Sequence, residues 1–197
     1  YELVSDIDAS QTAQFNNGSG FDPVGNSGSE FTGSFDGNNH AVTGLTIDRP
    51  SEDDIGLFGI TSGSLTNVTV TKLDVTGNND VGGLVGFNKR TIQTATVAGN
   101  VTGNGNDIGG LVGTNSGTIR TAKASVDVTG TYSVGGLVGS NPAIFAVGAI
   151  RDTFAVGSVN GYSEVGGLVG SNSATVEQSY FDEQATSQPT SAGNATG

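Results

Sequence analysis

The stretch Val81-Gly82-Gly83-Leu84-Val85-Gly86-Phe87-Asn88 decides how this chain folds, because it returns. The hexad recurs from Ile108 to Gly113, from Val134 to Gly139 and from Val165 to Gly170, with a weaker first copy at Ile55-Gly56-Leu57-Phe58-Gly59. The starts lie 26, 27, 26 and 31 residues apart. The long interval has a visible cause: after Asn141 comes Pro142-Ala143-Ile144-Phe145-Ala146-Val147-Gly148, about five residues more than the sister repeats carry. That excess reads as an inserted loop.

Agreement extends through each repeat. Seven residues after the leading aliphatic stand Asn88, Asn115, Asn141 and Asn172, with Ser62 in the first copy. Next comes an aliphatic behind a small residue, as in Thr91-Ile92 and Thr118-Ile119, and then a run alternating apolar with polar residues, as in Val126-Asp127-Val128-Thr129-Gly130. Short β-branched runs of period two, separated by Gly, Asn, Asp and Ser, read as strands. No helical period is sustained over ten residues.

A repeat of 26 or 27 residues buries too little to stand alone, so neighbours must stack. Three strands per turn, stacked in register about 4.8 Å apart, make parallel sheets. The sequence therefore predicts an all-β right-handed parallel β-helix of about five turns, the hand following the rule for parallel crossovers. Leu84, Leu111, Leu137 and Leu168 should point inward, and the asparagines should form a corner column with amides bonded up the stack. Residues 1–54 read as an N-terminal entrance or cap, 55–181 as the repeat array, and 182–197 as a polar exit segment or linker. The glycine-rich excursion from Ser10 to Ser34 is the candidate cap.

Composition agrees and excludes. Leu, Ile, Val and Phe fill 48 of 197 positions, about 24%, just above the level below which chains stay disordered. The 33 glycines mean that small residues replace bulky ones. Cysteine, methionine and tryptophan do not occur, which rules out thiolate metal sites, cysteine nucleophiles and disulfides. Nineteen acidic against seven basic side chains give a charge of -12, which repels nucleic acid. No run approaches the roughly 18 apolar residues of a membrane helix. Tyr1 at the start suggests a segment of a longer chain.

The strings from Val81 to Asn88 and from Ile108 to Asn115, running on into Gly117-Thr118-Ile119, resemble the GLUG motif, a repeat found in large extracellular and surface-anchored microbial proteins including adhesins. The lead-in from Tyr1 to Asp8, then Phe21 to Gly25 and Phe31 to His40, is similar to the segment preceding such arrays, and Tyr180-Phe181-Asp182 with Ser191-Ala192-Gly193 to the sequence closing them. The resemblance implies a surface or secreted β-solenoid and no general catalytic assignment.

Chemistry is thinly represented. His40, the single histidine, sits beside the turn Asp36-Gly37-Asn38 and reads as a turn-stabilising or solvated side chain. The residues before each hexad, Asp54, Asp80, Asp107, Ser133 and Glu164, should stack into an acidic column, either a solvated ridge suited to a salty medium or a row of weak Ca²⁺ contacts. A second column, Thr66, Gln93, Arg120, Arg151 and Glu177, offers Arg120 and Arg151 to an acidic glycan or, equally, Arg151 to Asp152 or Glu177. Tyr180 should stack over Phe154 with Lys123 below, an aromatic step fit for a sugar face or for packing. Sequons begin at Asn17, Asn67, Asn100 and Asn194.

The reading that follows is a non-enzymatic structural and adhesive module at a cell surface or outside the cell, with Pro142, Ala143, Ile144 and Phe145 as candidate contact loop. Its partners would be a surface glycan or protein, or copies of itself, with no cofactor required beyond weak Ca²⁺. The alternatives are a polysaccharide-binding or polysaccharide-processing β-helix and a self-assembling filament or virion component.

Overall fold

The computed structural model describes residues 1–143 and 149–193. Three parallel sheets wind around one apolar interior, and the hexads lie directly over one another. One sheet stacks Val81–Gly82, Asn106–Gly109, Tyr132–Gly135 and Ser163–Gly166. A second stacks Phe58–Thr61, Val85–Asn88, Val112–Asn115, Val138–Asn141 and Val169–Asn172. The third and longest is built on Ser64–Gly77, Thr91–Gly103 and Thr118–Thr129, with shorter strands continuing it at both ends. The register is regular: Val81 faces Ile108, then Val134, then Val165, and Val85 faces Val112, Val138 and Val169. The predicted β-solenoid of about five turns is the fold.

The interior follows from that register. Leu84, Leu111, Leu137 and Leu168 are buried in a column, and Ile92 and Ile119 with Val97 and Val101 face them from the long sheet. Burying a side chain of this size contributes roughly 1.5–3 kcal/mol. Each layer therefore stabilises the next, and the core grows along the axis. Glycine in the hexad has a steric reason: a Cβ at Gly109 would run into the Val112 carbonyl, and one at Gly113 into the Asp80 backbone of the layer before. The chain turns this corner only where two backbones touch.

The phase of the first copy differs from the expectation. Phe58 pairs with Val85 and Thr61, not Ser62, with Asn88. Ile55-Gly56-Leu57 has one glycine fewer than its sisters, so counting seven residues from Ile55 overshoots by one.

The winding begins before the hexads. Ser34–Asp36, Ala41–Thr43 and Thr46–Asp48 pair in parallel with successive parts of Ser64–Gly77, and Ile7–Asp8 adds an edge strand on Ala41–Thr43. Ahead of that edge strand, Glu2 makes an isolated parallel bridge to Asp36. Ser10–Gly18 makes 3-10 turns broken at Phe15, Asn16 and Asn17, and the buried Thr12 hydroxyl fastens it by donating to Ala9 O and accepting from Thr46 N. These turns cover the end only in part. A cavity of about 550 Å³ remains, floored by Leu57 and Phe58 and walled by Phe31 and Phe35.

At the other end the winding continues past the last full hexad. Asp182 caps the short helix Glu183–Thr186, its carboxylate accepting from Gln184 and Ala185 N–H. Ser191 O then accepts from Leu168 N, and Ala192 pairs with Val169. Small residues occupy the place of Leu and Val, which is why the exit reads as polar linker in sequence.

Candidate functional site

The corner asparagines form the predicted column. Asn88 Nδ2 donates to Asn115 Oδ1 at 2.7 Å, Asn115 Nδ2 to Asn141 Oδ1 at 3.0 Å, and Asn141 Nδ2 to Asn172 Oδ1 at 2.8 Å. Asn88, Asn115 and Asn141 are fully buried. Identical amides stacked at one strand spacing satisfy each other, because each carries both a donor and an acceptor. Their role is structural.

The acidic column forms too, with a different character from a solvated ridge. Asp54, Asp80, Asp107, Ser133 and Glu164 occupy the same corner of successive layers with φ between 52° and 63°. The left-handed corner turns the three aspartates half inward, while Glu164 stays exposed. Burial pushes the Asp54 carboxyl up to about 6, and the like charges of Asp80 and Asp53 push the same way. Burial and the Asp80 charge raise Asp107 to about 6, and Asp80 is raised chiefly by burial. Ser133 interrupts the column and donates its hydroxyl to Glu164 at 2.9 Å. Among the described residues no group of three or more His, Asp or Glu side chains is arranged to hold a metal ion.

On the long sheet the second column stands as read. Gln93, Arg120, Arg151 and Glu177 are register neighbours, and so are Lys123, Phe154 and Tyr180. Arg151 forms an ion pair with Glu177. Arg120, Phe154 and Tyr180 are exposed, Tyr180 at 66%, with the left-handed corner residue Thr121 between the arginine column and the aromatic one. The cation and the two rings thus flank one corner of the solenoid.

His40 Nδ1 lies 3.2 Å from Asp6 Oδ1, which also accepts the Ala41 N–H. The Ala41 N–H first, and then the imidazole, hold the Asp6 carboxyl below its usual value. This is a turn clamp joining residues 6 and 40. Of the candidate loop, Pro142 is half-buried and Ala143 exposed, while Ile144 and Phe145 lie outside the described residues, as does the sequon at Asn194. The other sequons differ: Asn17 and Asn100 are exposed, whereas Asn67 is a half-buried left-handed corner whose Nδ2 donates to Asp36 Oδ1 at 3.1 Å.

Two features had no sequence signal strong enough to read. The cavity at the N-terminal end gathers Phe15, Phe21, Phe31, Phe35 and Phe58, which follow no common period. Tyr132 and Tyr162, both exposed, meet edge to face at 5.8 Å on one corner.

Comparison with known proteins places the chain beside very long relatives. It is 49% identical over 89 residues to halomucin of Haloquadratum walsbyi, a match covering 42% of this chain and 1% of that protein. It is 37% identical over 79 residues to a putative Gly-rich membrane protein of Evansella cellulosilytica, covering 40% of this chain and 9% of that protein. The chain thus spans a small fraction of the relatives it matches. No family model matches it, and no solved structure does. No helix among the described residues is long and apolar enough to cross a membrane.

Proposed function

We propose that this chain is a non-catalytic structural and adhesive module of a large surface-exposed or secreted protein, a rigid β-solenoid that spaces and presents contact loops. The observation that carries the reading is uniform stacking: three parallel sheets and a buried amide column repeat the same contacts layer after layer. Catalysis draws unlike groups to one point. Repetition suits spacing and multivalent contact. Likeness to a small part of a halomucin and of a protein named as a membrane protein supports a place at the cell surface. The resemblance of the hexads to GLUG repeats supports the adhesive role, and the acidic balance supports a salty medium. The exposed sequons at Asn17 and Asn100 are the positions at which a glycan would meet least obstruction.

The test is binding of the chain to cells and to a glycan panel, at low and molar salt, with residues 142–148 intact and deleted. Loss of binding on deletion supports the loop as the contact; unchanged binding removes it. A second reading, contact with an acidic polysaccharide, rests on Arg120, Phe154 and Tyr180 being exposed on the two sides of one corner. Arg120→Ala should then weaken binding to sulfated glycans, while Arg151→Ala changes it less because Glu177 already engages that guanidinium.

A further inference from the structure

Without cysteine, methionine or tryptophan, the chain lacks the side chains that oxidants attack first. Its four tyrosine phenols are then the groups from which an electron is most easily removed. They are not equivalent. Tyr1 meets Phe31, and Tyr180 is the register neighbour of Phe154, whereas Tyr132 and Tyr162 meet each other, with ring centroids 5.8 Å apart and planes at 79°. The two are 46% and 81% exposed, so a soluble oxidant reaches both. The winding itself holds them together. Tyr132 stands in register with Ser163, the residue after Tyr162, and the Tyr162 N–H donates to Thr131 O at 2.9 Å. Parallel strands keep these successive layers about 4.8 Å apart. In the preceding layer the register partner of Tyr132 is Asn106, which follows Gly105, so the repeat itself does not call for aromatic residues at this corner.

We propose that Tyr132 and Tyr162 are a site of oxidative coupling, joined by peroxide-driven one-electron oxidation into a dityrosine that staples two successive layers of the solenoid. Each phenol gives up one electron and its phenolic proton. The two tyrosyl radicals then form one carbon–carbon bond between ring carbons ortho to oxygen, Cε to Cε. The hydrogen on each of those carbons leaves as a proton and returns to the phenolic oxygen, which restores both aromatic rings and both hydroxyls. The two electrons and two protons removed reduce one hydrogen peroxide to two waters. Exposed side chains change rotamer within nanoseconds, so two rings already in contact bring their Cε edges together without any change in the backbone. The bond closes the chain from 132 to 162 into a covalent loop, the constraint that a disulfide supplies in chains with cysteine. This goes beyond the module's proposed role and holds or fails independently of it.

The experiment treats the 197-residue chain, in dilute solution, with hydrogen peroxide and a haem peroxidase. The monomer is expected to become lighter by two hydrogen atoms in intact mass and to gain the blue fluorescence of dityrosine. Trypsin, cutting the denatured product after Lys123 and Arg151, should release residues 124–151 and 152–197 as one joined peptide. Tyr132→Phe and, separately, Tyr162→Phe should each lower the yield of coupled monomer at least tenfold, whereas Tyr180→Phe, which removes an exposed phenol elsewhere, leaves it unchanged. Treatment in urea should lower the yield at least tenfold as well, because the fold supplies the contact. Coupled monomer should unfold at a higher temperature than untreated chain. The proposal is overturned if the coupled product is a dimer, if oxygen adds to the rings without coupling, or if Tyr180→Phe abolishes the link. It is also overturned if the unfolded chain couples equally well, or if coupled monomer unfolds at no higher temperature.

Discussion

The amide column of Asn88, Asn115, Asn141 and Asn172 and the carboxylate column of Asp54, Asp80, Asp107 and Glu164 are stacked by one parallel register, yet they end in opposite states. Amides one layer apart bond in a chain and can be fully buried. Carboxylates one layer apart are acceptors facing acceptors, and half-burial drives Asp54 and Asp107 towards protonation. A solenoid multiplies whatever a single position does. Self-complementary side chains become a spine, and self-repelling ones a standing cost that solvent and salt must offset.

The largest expected effect comes from exchanging the two chemistries. Asn115→Asp puts a carboxylate where Nδ2 donates to Asn141 Oδ1 and to Gly117 O, in a site with no solvent access. The loss at pH 7 should be about 3–4 kcal/mol by urea unfolding, shrinking at acid pH as the carboxyl regains a proton to donate. A loss below about 1 kcal/mol would break the comparison, since the column would then be incidental.

Gly113→Ala comes next. The added Cβ strikes the backbone at Asp80 and Val81, so the acid corner itself must move. A loss of about 2–3 kcal/mol is expected, with a lowered thermal midpoint.

Asp107→Asn sharpens the comparison in the favourable direction. Its carboxyl titrates at about 6 in the fold and near 3.8 when unfolded, so the folded state holds the proton more tightly. The cost is absent below pH 3.8, grows as pH rises through the window and is complete above 6. The wild type should therefore gain stability as pH falls from 7 towards 4. Asparagine tolerates the left-handed corner, so the variant should be about 1 kcal/mol more stable at pH 7 once solvent screening is allowed for. At pH 4 the advantage should vanish.

Salt gives the smallest effect. Raising NaCl to molar levels should stabilise the wild type by a few tenths of a kcal/mol more than the Asp54→Asn, Asp107→Asn double variant. CaCl2 at matched ionic strength should do no more than NaCl if screening is the cause; a larger gain would identify specific cation contacts.

What the sequence made legible was whatever repeats. Val85, Leu84 and Asn88 recur at a fixed spacing, so their stacking partners and the amide column could be read before any coordinates. Burial of Asp80 was not legible, because a left-handed corner, unlike a strand, decides by backbone rotation which way the side chain faces. Lys72 differs: it is an extra left-handed residue bulging from Ser64–Gly77, and the apolar alternation slips one place there, from Val68 and Val70 to Leu73 and Val75. The N-terminal cavity escaped for the opposite reason. Phe15, Phe21 and Phe31 converge through a single non-repeating excursion, and convergence without period leaves no trace in spacing.

The bond from Asn141 to Asn172 closes over 31 residues where its sisters close over 26 or 27, and its 2.8 Å lies between their 2.7 and 3.0 Å. Layer height is therefore independent of how much chain leaves the corner and returns. Segments of foreign sequence could be grafted between residues 142 and 148 without altering the pitch of the turns on either side. A lineage carrying such a rod can vary what it displays while the support stays the same.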